Sequence, residues 1–323
     1  KRLRNDGLAL LYISHRMHEI AELADDCSVF RNGQKIETYK AGTKTDTQVV
    51  ELMIGREYKN VFPPKPAKAV SHTVPAVQAS NISWTDRLRD ISLSVQPGEI
   101  VGLGGLDGQG QRELLLALFG VLRDCTGEVR INGLPVDITG PLMAKSDKIR
   151  MALIPEDRKT EGLMLPMSVR DNLSFSAMSR ISNVGIIDNS CEQRLIDEQI
   201  GLLAIKTANV DLAVGSLSGG NQQKVVIAKW LLNQPRIILL NDPTRGIDVG
   251  TKQELYVLFR KLADDGVAII FYSTDYDELI GCCDRVLVLY DGKITRELSG
   301  SEITETALIA SALNLETAKA AYL

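Results

Sequence analysis

Hydrophobic residues along this chain fall into short unbroken runs, separated by polar turns and by segments with helical periodicity. Such runs cover residues 237–240, 267–272 and 285–289, and helices are expected to begin near Gly250 and Asp275 between them. Unbroken apolar runs are typical of strands that are buried on both faces, as in a parallel sheet. The alternation of these strands with helices predicts an α/β fold.

The part of the chain before these runs contains further strands and a long helical segment. Alternating strand patterns occur at residues 77–83 and 91–96, and an apolar run predicts another strand at 99–103. A helix is expected to start near Arg112. Helical periodicity then dominates residues 169–207, which predicts a helical arm ahead of the later strands.

Two segments of the chain match each other at one constant offset. Residues 6–15 recur as residues 265–274, and Glu19 then matches Glu278. A repeat of this period is far too long for a solenoid and has the size of a globular domain. We therefore expect two tandem domains, of which the first is represented only by its tail.

A proline-bearing segment separates the two copies. Proline removes a backbone donor and blocks helix continuation, so residues 59–75 are expected to form a linker. Residues 1–58 are then the C-terminal tail of the first domain, and residues 76–323 form the second.

The composition of the chain argues against several classes of function. A chain of 323 residues with 44% hydrophobic content can bury at least one full core. The net charge of −4 and the pI near 5.6 argue against a nucleic-acid binder held by phosphate contacts. The five scattered cysteines suggest neither a disulfide framework nor a metal site. Since no apolar run approaches the roughly 18 residues that span a bilayer, a membrane role would require a partner.

A glycine-rich loop follows the strand predicted at 99–103. Gly105 and Gly110, with Gly108 between them, fit the frame of the phosphate-binding loop G-x-x-x-x-G-K-[ST]. Gln111 replaces the lysine of that frame and Arg112 replaces its hydroxyl residue. The backbone N–H groups remain available to phosphates, whereas the phosphate cation and a magnesium ligand are missing.

A second phosphate-binding pattern lies at the start of a predicted helix. A serine, two glycines and the helix start present N–H groups and partial positive charge, which suit a nucleotide γ-phosphate. The run 237–240 then carries Asn241 and Asp242 out of a buried strand. Either pattern alone also fits a purely structural segment, and the two together favour a nucleotide site. The first pattern consists of Leu217, Ser218, Gly219, Gly220 and Asn221.

Four segments occur in one order: Gly-Gln-Gly-Gln-Arg-Glu-Leu, Pro-Glu-Asp-Arg-Lys, Leu-Ser-Gly-Gly-Asn-Gln-Gln-Lys and Asp-Pro-Thr-Arg-Gly-Ile-Asp-Val-Gly. With them the chain resembles the tandem-cassette ATP-binding subunits of bacterial monosaccharide ABC importers of the ribose, xylose, galactose and arabinose type. The resemblance covers essentially the whole chain. It implies an α/β P-loop NTPase of the ABC type, with a mostly parallel core sheet, an antiparallel β subdomain and a helical signature subdomain.

The resemblance also implies an activity and its partners. The expected activity is that of an ATPase, with ATP and Mg²⁺ as cofactors, at the cytoplasmic face of the bacterial inner membrane. The expected partners are sugar permease transmembrane subunits, indirectly a periplasmic sugar-binding protein, and a first ABC cassette or a second copy, with no nucleic acid. The permease is expected to dock near Glu156 and residues 167–178.

The resemblance assigns metal and catalytic positions at the end of the run 237–240. Asn241 takes the place of the magnesium-coordinating aspartate, and Asp242 that of the catalytic glutamate. An amide binds the metal shell more weakly, and Asp242 is one methylene shorter than glutamate. A one-residue register slip would make Asp242 the metal ligand instead. The metal site therefore stays open, with Glu156 or Asp242 as possible ligands.

Four further positions carry roles from the resemblance. Glu156 stands where such ATPases carry the glutamine that links the nucleotide to the arm, with a plain surface turn as the alternative. His15 would contact a γ-phosphate and an attacking water, and its repeat counterpart Thr274 cannot take a charge. Trp84 either stacks on adenine or packs in the core. Asp248 matches the D-loop.

Cassettes of this family pair head to tail, which divides the expected roles. Ser218, Gly219 and Gly220, together with His15, would serve the loop of the first cassette, so the loop of this cassette is the weaker site. We expect the isolated chain to bind nucleotide poorly and to hydrolyse it slowly or not at all. Two alternatives stay open: a non-catalytic truncated cassette with a structural or regulatory role, and a soluble ABC protein that acts on ribosomes.

Overall fold

The computed structural model describes residues 2–13, 17–31, 33–54, 62–66, 74–183 and 186–315. His15 and most of the linker predicted at 59–75 lie outside these residues. The chain divides into two units, one formed by residues 1–61 with 248–254 and the other by residues 62–247 with 255–323.

The first unit contains a β-hairpin and short helices. Strands β1 and β2 pair antiparallel, and Cys27, Val29 and Val49 are buried. Residues 8–13 form neither helix nor strand, and their large apolar side chains are exposed. The elements are α1 (Arg2–Asn5), α2 (Met17–Leu23), β1 (Asp26–Arg31), β2 (Gln34–Lys40) and α3 (Asp46–Ile54).

The second unit contains two larger sheets, a short hairpin and the helices that cover them. Its strands are β3 (Val77–Trp84), β4 (Leu88–Val95), β5 (Ile100–Gly104), β6 (Thr126–Ile131), β7 (Leu134–Pro135), β8 (Met151–Ile154), β9 (Ser182–Asn183), β10 (Ile186–Ile187), β11 (Ile237–Asn241), β12 (Ala268–Tyr272), β13 (Arg285–Tyr290) and β14 (Lys293–Ser299). Its helices are α4 (Gln111–Leu118), α5 (Pro141–Lys145), α6 (Val169–Ser174), α7 (Met178–Ile181), α8 (Asn189–Leu203), α9 (Gly219–Leu231), α10 (Val249–Asp264), whose first turns belong to the first unit, α11 (Tyr276–Cys282) and α12 (Glu305–Ala312).

The core sheet has six strands in the order β14-β13-β5-β12-β11-β8. Five of them run parallel, and only the edge strand β14 is antiparallel. Every residue of β5, β11 and β12 is buried. Burial on both faces explains why these strands have unbroken apolar sequences, and the predicted α/β class is confirmed.

An antiparallel sheet in the order β4-β3-β6-β7 packs against the same core. Leu88 and Ile91 of β4 share one buried cluster with Leu115 of α4 and Ile270 of β12. Helix α4 buries Leu114, Leu115 and Leu118 in this cluster because they lie on one face at helical spacing. The antiparallel sheet therefore fixes the position of α4 and of the loop before it.

Helices α4, α10 and α11 begin within one residue of the predicted starts. The helical prediction for residues 169–207 is wrong at two places. Strands β9 and β10 pair antiparallel, and the β-branched Ile186 and Ile187 favour a strand. Helix α8 also ends early, since Ala204 adopts a left-handed conformation with φ 47°.

Candidate functional site

The carboxyl ends of the central parallel strands meet at one edge of the core sheet. Leu103 of β5 pairs with Tyr272 of β12, and Tyr272 also pairs with Asn241 of β11. In an open α/β sheet, ligands bind in the crevice outside these carboxyl ends. The glycine loop after β5 and the polar residues after β11 and β12 therefore share the expected site.

The glycines of the loop are required by its geometry. Gly105 has φ 126° and Gly110 has φ 109°, which favour glycine. A Cβ on Gly105 would lie 2.4 Å from the carbonyl oxygen of Leu289, and one on Gly110 would lie 2.8 Å from that of Arg87. Gly108 has φ 79° with open space around it. The loop thus keeps the tight strand-to-helix turn that the sequence predicts.

Gln111 fills the interior of this loop. Its side chain is buried, with 1% of the residue exposed. Nε2 donates to the carbonyl oxygens of Gly104, at 3.2 Å, and Leu106, at 3.0 Å. Oε1 accepts from the backbone N–H of Gln109 at 3.1 Å. The residue at the lysine position of the frame therefore binds the loop itself.

Arg112 does not place its charge inside the loop. Its Nη2 donates to Glu161 at 2.8 Å, and both side chains are more than 40% exposed, at 46% and 42%. Since one helical position turns a side chain by about 100°, Arg112 and Gln111 diverge at the start of α4. The guanidinium is paired with a carboxylate beyond the loop rather than with the phosphate position.

Asn241 and Asp242 end β11 in different environments. Asn241 is 2% exposed, and among the described residues its Oδ1 has no hydrogen-bond partner. Asp242 has φ 45°, donates its N–H to the carbonyl of Tyr272 at 2.9 Å, and accepts from Thr274 Oγ1 at 2.8 Å. Burial raises the pKa of Asp242 above its ordinary value, against the opposing hydrogen bond from Thr274.

These side chains do not fit the usual magnesium triphosphate complex. Asn241 offers one buried oxygen, but Gln111 and Arg112 supply neither the lysine nor the hydroxyl of the frame. Across the described part of the chain, no set of three or more His, Cys, Asp or Glu residues is grouped as a metal site would require. The backbone of the loop keeps its phosphate-binding form while its side chains do not complete it.

Two sets of contacts at this edge were not predicted from the sequence. Tyr272 donates its hydroxyl to Asp107 of the loop at 3.0 Å, and burial raises the pKa of this tyrosine. Glu278, 1% exposed, accepts hydrogen bonds at 2.7 Å from Thr244, Tyr256 and Ser273. The only sequence signal for Glu278 was its match to Glu19 in the repeat, which assigned it no role.

The serine-glycine pattern begins helix α9 as predicted. Ser218 caps this helix, and its Oγ accepts from the backbone N–H of Asn221 at 3.4 Å and from its Nδ2 at 3.0 Å. Asn221 in turn accepts from the N–H of Lys206 at 2.8 Å. Leu217 immediately precedes the cap, and its carbonyl accepts from Gln222 at 3.1 Å. The N–H groups of the first turn are therefore presented by a capped helix end.

The combination of this capped helix, the glycine loop and the polar strand ends agrees with a family comparison. Residues 88–245 match the family model described as ABC transporter. The chain contains an ABC transporter domain. The match runs from the first residue of β4 through the loop, the signature helix and Asp242, whereas Tyr272, Thr274 and Glu278 of the site lie beyond it.

Curated relatives of this ABC transporter domain are ribose import ATP-binding proteins. The chain is 73% identical over 315 residues to ribose import ATP-binding protein RbsA 1 of Mesorhizobium japonicum, covering 98% of this chain and 61% of the relative. The protein of the same description from Chelativorans sp., RbsA, is 41% identical over 314 residues, covering 97% and 61%. The chain thus spans 61% of the length of these relatives.

Solved structures share the fold of the ABC transporter domain. A nucleotide-free ATP-binding cassette from an ABC transporter superposes with a TM-score of 0.61 at 20% identity, covering 73% of this chain and 95% of that chain. A second such cassette, in its ADP conformation, gives a TM-score of 0.62 at 19% identity, covering 76% and 99%. The fold is that of an ABC ATPase cassette.

Within the ABC transporter domain, Arg158 connects the signature helix to the segment after β11. Its guanidinium donates to Gln222 Oε1 at 3.4 Å and to the carbonyls of Arg245 at 3.2 Å and Gly246 at 3.5 Å. A Cβ on Gly219 would lie 2.8 Å from Arg158 Nη2, so the glycine of the signature leaves room for this contact. Arg158 is a site residue that the sequence reasoning missed.

Among the remaining predicted residues, Glu156 lies near the site, since burial and, to a smaller extent, the charge of Glu156 raise the pKa of Asp242. Gly220 is buried at the start of α9, and Glu156 forms an ion pair with Arg245. Trp84 packs against the core and donates Nε1 to the carbonyl of Arg123 at 2.9 Å. Asp248 accepts from the N–H and hydroxyl of Thr251, at 3.0 and 2.8 Å. Within the described ranges, no helix combines the length and apolar content needed to cross a bilayer.

Proposed function

We propose that this chain is the C-terminal part of the ATP-binding subunit of a bacterial sugar ABC importer, which couples ATP binding and hydrolysis to monosaccharide uptake. The observation that carries this proposal is the glycine loop at the carboxyl end of β5, beside Asn241, Asp242 and Thr274, in a cassette with a capped signature helix. The ribose import description of the relatives supports the choice of a sugar as cargo.

A tandem arrangement is part of the proposal. Residues 1–58 are the tail of a first cassette, residues 59–75 the linker, and residues 76–323 the second cassette. The repeat supports this division, because residues 8–13 match residues 267–272, which include the buried strand β12. Apolar side chains that are exposed in the first copy are thus those that a complete sheet would bury.

The proposed working site is the loop of the first cassette. The N–H groups at Ser218, Gly219 and Gly220 would close over it, His15 would contact its γ-phosphate, and Asp248 would lie at the cassette boundary. The loop at Gln111 is the degenerate site, which is supported by its misfit to magnesium triphosphate. The partners are permease transmembrane subunits and, through them, a periplasmic sugar-binding protein, at the cytoplasmic face of the inner membrane.

The test compares ATP turnover by the purified chain alone with turnover after addition of the first-cassette segment of a full-length relative. We expect slow or no hydrolysis by the chain and clear hydrolysis by the mixture, which Ser218→Arg should abolish. Gln78→Arg, on the exposed face of β3, is the matched control for the added charge. Turnover by the chain alone, lost on changing Gln111 or Asp242 to alanine, would contradict the proposal.

A second candidate function is a non-catalytic cassette that serves as a structural or regulatory partner. The side chain of Gln111 inside the loop and the Arg112–Glu161 ion pair favour it. In the mixing experiment this function predicts association of the chain with the first-cassette segment, measured by sedimentation, without any hydrolysis.

A further inference from the structure

We propose that Gln111 acts as an internal ligand of its own phosphate loop. Its amide holds the loop in the phosphate-binding shape without nucleotide, and it takes the place that a lysine and a bound phosphate would share. This inference rests on the proposed function only in regarding the loop as a phosphate loop. The loop of the second cassette would then keep the same shape with and without magnesium ATP.

The hydrogen bonds of Gln111 reach both sides of the loop. Nε2 joins the carbonyls of Gly104, at the end of β5, and Leu106, while Oε1 accepts from the N–H of Gln109 just before α4. With 1% of the residue exposed, the side chain of Gln111 is shielded from water, and its bond to Gly104 is fully buried. A phosphate loop offers N–H groups of this kind to phosphate oxygens, so here one donor is already satisfied.

Only an amide side chain of this length satisfies all three partners. It carries two N–H donors and one oxygen acceptor, which match two carbonyls and one N–H. The lysine of the frame has donors but no acceptor, and glutamate has acceptors but no donor when ionised. Gly105 completes the fit, because a Cβ there would lie 2.7 Å from Gln111 Nε2. The glycine therefore leaves space for the amide as well as for the turn.

Neighbouring segments also form hydrogen bonds with the loop. Tyr272 donates to Asp107 at 3.0 Å, and Gln109 accepts from the N–H of Asp291 at 2.6 Å through Oε1 and from that of Gly292 at 3.2 Å through its carbonyl. Together with Gln111, these contacts anchor the loop from its beginning to its end. A phosphate is therefore not needed to order it.

The charges around the loop do not attract a triphosphate. Arg112 is paired with Glu161 at 2.8 Å, and Arg89 is paired with Asp291 at 2.7 Å. Asp107 adds a carboxylate to the loop itself. A triphosphate would thus have to displace the amide of Gln111 and separate ion pairs, without the cation that usually compensates it.

The test is hydrogen exchange of the loop amides in the purified 323-residue chain, with and without 1 mM magnesium ATP as probe. In the native chain the Gln109 amide should exchange slowly without nucleotide, and magnesium ATP should leave its rate unchanged. In Gln111→Glu the carboxylate would face the carbonyl oxygens of Gly104 and Leu106 without a donor, so the side chain should leave the loop and the Gln109 amide should lose its acceptor. The exchange rate of this amide should then rise about tenfold or more. In Gln111→Lys the same amide should become protected only when magnesium ATP is added.

Controls separate this effect from general damage. Gln78→Glu, on the exposed face of β3, makes the same chemical change away from the loop, and the amides of β11 and β12 report whether the core stays folded. If the loop amides of the native chain were protected from exchange only in the presence of magnesium ATP, the inference would be overturned. This comparison needs no variant. Equal exchange in native chain and Gln111→Glu would overturn it too. Turnover after addition of the first cassette is a separate readout, so the proposed function fails or stands independently.

Discussion

Glu278 lies buried beneath the site and accepts hydrogen bonds from three hydroxyl groups in three different parts of the fold. Thr244 follows β11, Ser273 follows β12, and Tyr256 belongs to α10. A carboxylate can accept all three because both oxygens are acceptors. Glu278 therefore fixes the two strand ends that carry Asp242 and Thr274.

Glu278→Gln should destabilise the fold by about 2 kcal/mol, because the amide NH₂ would face hydroxyl groups and leave buried polar atoms unsatisfied. Urea unfolding followed by circular dichroism measures the change. Asp277→Asn is the matched control, since Asp277 is the exposed neighbouring carboxylate on α11. Equal stability of the two variants would show that the hydroxyl contacts contribute little.

Lys229 on α9 provides a stability difference that depends on pH. Burial lowers its pKa from 10.5 to about 8, with a smaller contribution from the charge of Lys145. Below pH 8 the folded chain holds a poorly hydrated charge that the unfolded chain hydrates freely. The cost is therefore complete below the folded pKa of about 8 and disappears as the pH rises to 10.5.

Lys229→Met should accordingly gain stability relative to the native chain at pH 7, and this advantage should shrink by at most about 3 kcal/mol by pH 10.5. The lost hydrogen bond to the carbonyl of Gly162 adds a cost that is the same at every pH. Urea unfolding across this range, with the exposed Lys261→Met as control, measures the difference. A difference that is constant with pH would refute the assignment.

The sequence predicted several residues of the candidate site, but it did not predict the contacts that these residues make. The sequence showed that Gln111 and Asn241 depart from their frames, and both occupy the predicted positions. That Gln111 binds its own loop, or that Thr244 meets Glu278 34 residues later, depends on tertiary packing. Sequence spacing carries no direct record of such contacts.

Elements of the core sheet were predicted well because both faces of each strand are buried. The apolar runs gave β11, β12 and β13 to within one residue. The hairpin of β9 and β10 was missed, since two-residue strands are too short for a period of two to be read. Prediction thus succeeded where burial extends over a whole element and failed where a turn decides the structure.

The helical arm carries exposed apolar residues at the surface proposed for permease docking. Phe175 is 66% exposed and Met178 39% exposed, within the predicted docking segment 167–178. Exposed apolar clusters on soluble domains often mark binding surfaces. We expect Phe175→Ser to reduce copurification of the tandem subunit with the sugar permease about tenfold, since an aromatic anchor contributes well over 1 kcal/mol.

Thermal melting of the same variant should be unchanged within a few degrees, because the ring is exposed. Leu134→Ser, which removes a 69% exposed side chain on β7, is the matched control and should copurify normally. Reduced copurification of both variants, or of neither, would mean that the arm is not the permease surface.

The repeat relates an exposed apolar segment of the first unit to a buried strand of the core sheet. Leu11 is 95% exposed and Ile13 90% exposed, whereas every residue of the repeat counterpart β12 is buried. Residues 8–13 form neither helix nor strand, and exposed apolar side chains of this kind often mark a binding surface. The tandem proposal supplies the natural partner, which is the sheet of a first cassette.

The double change Leu11→Ser with Ile13→Ser should therefore weaken capture of the first-cassette segment about tenfold or more, since each buried aliphatic side chain contributes more than 1 kcal/mol. Sedimentation velocity over a range of concentrations measures both this capture and self-association of the chain, which should fall as well. Leu212→Ser, 45% exposed in the second unit, controls for the loss of an exposed apolar side chain. If the double variant captured the segment as tightly as the control, residues 8–13 would not be the missing strand, and the tandem division would lose its structural support.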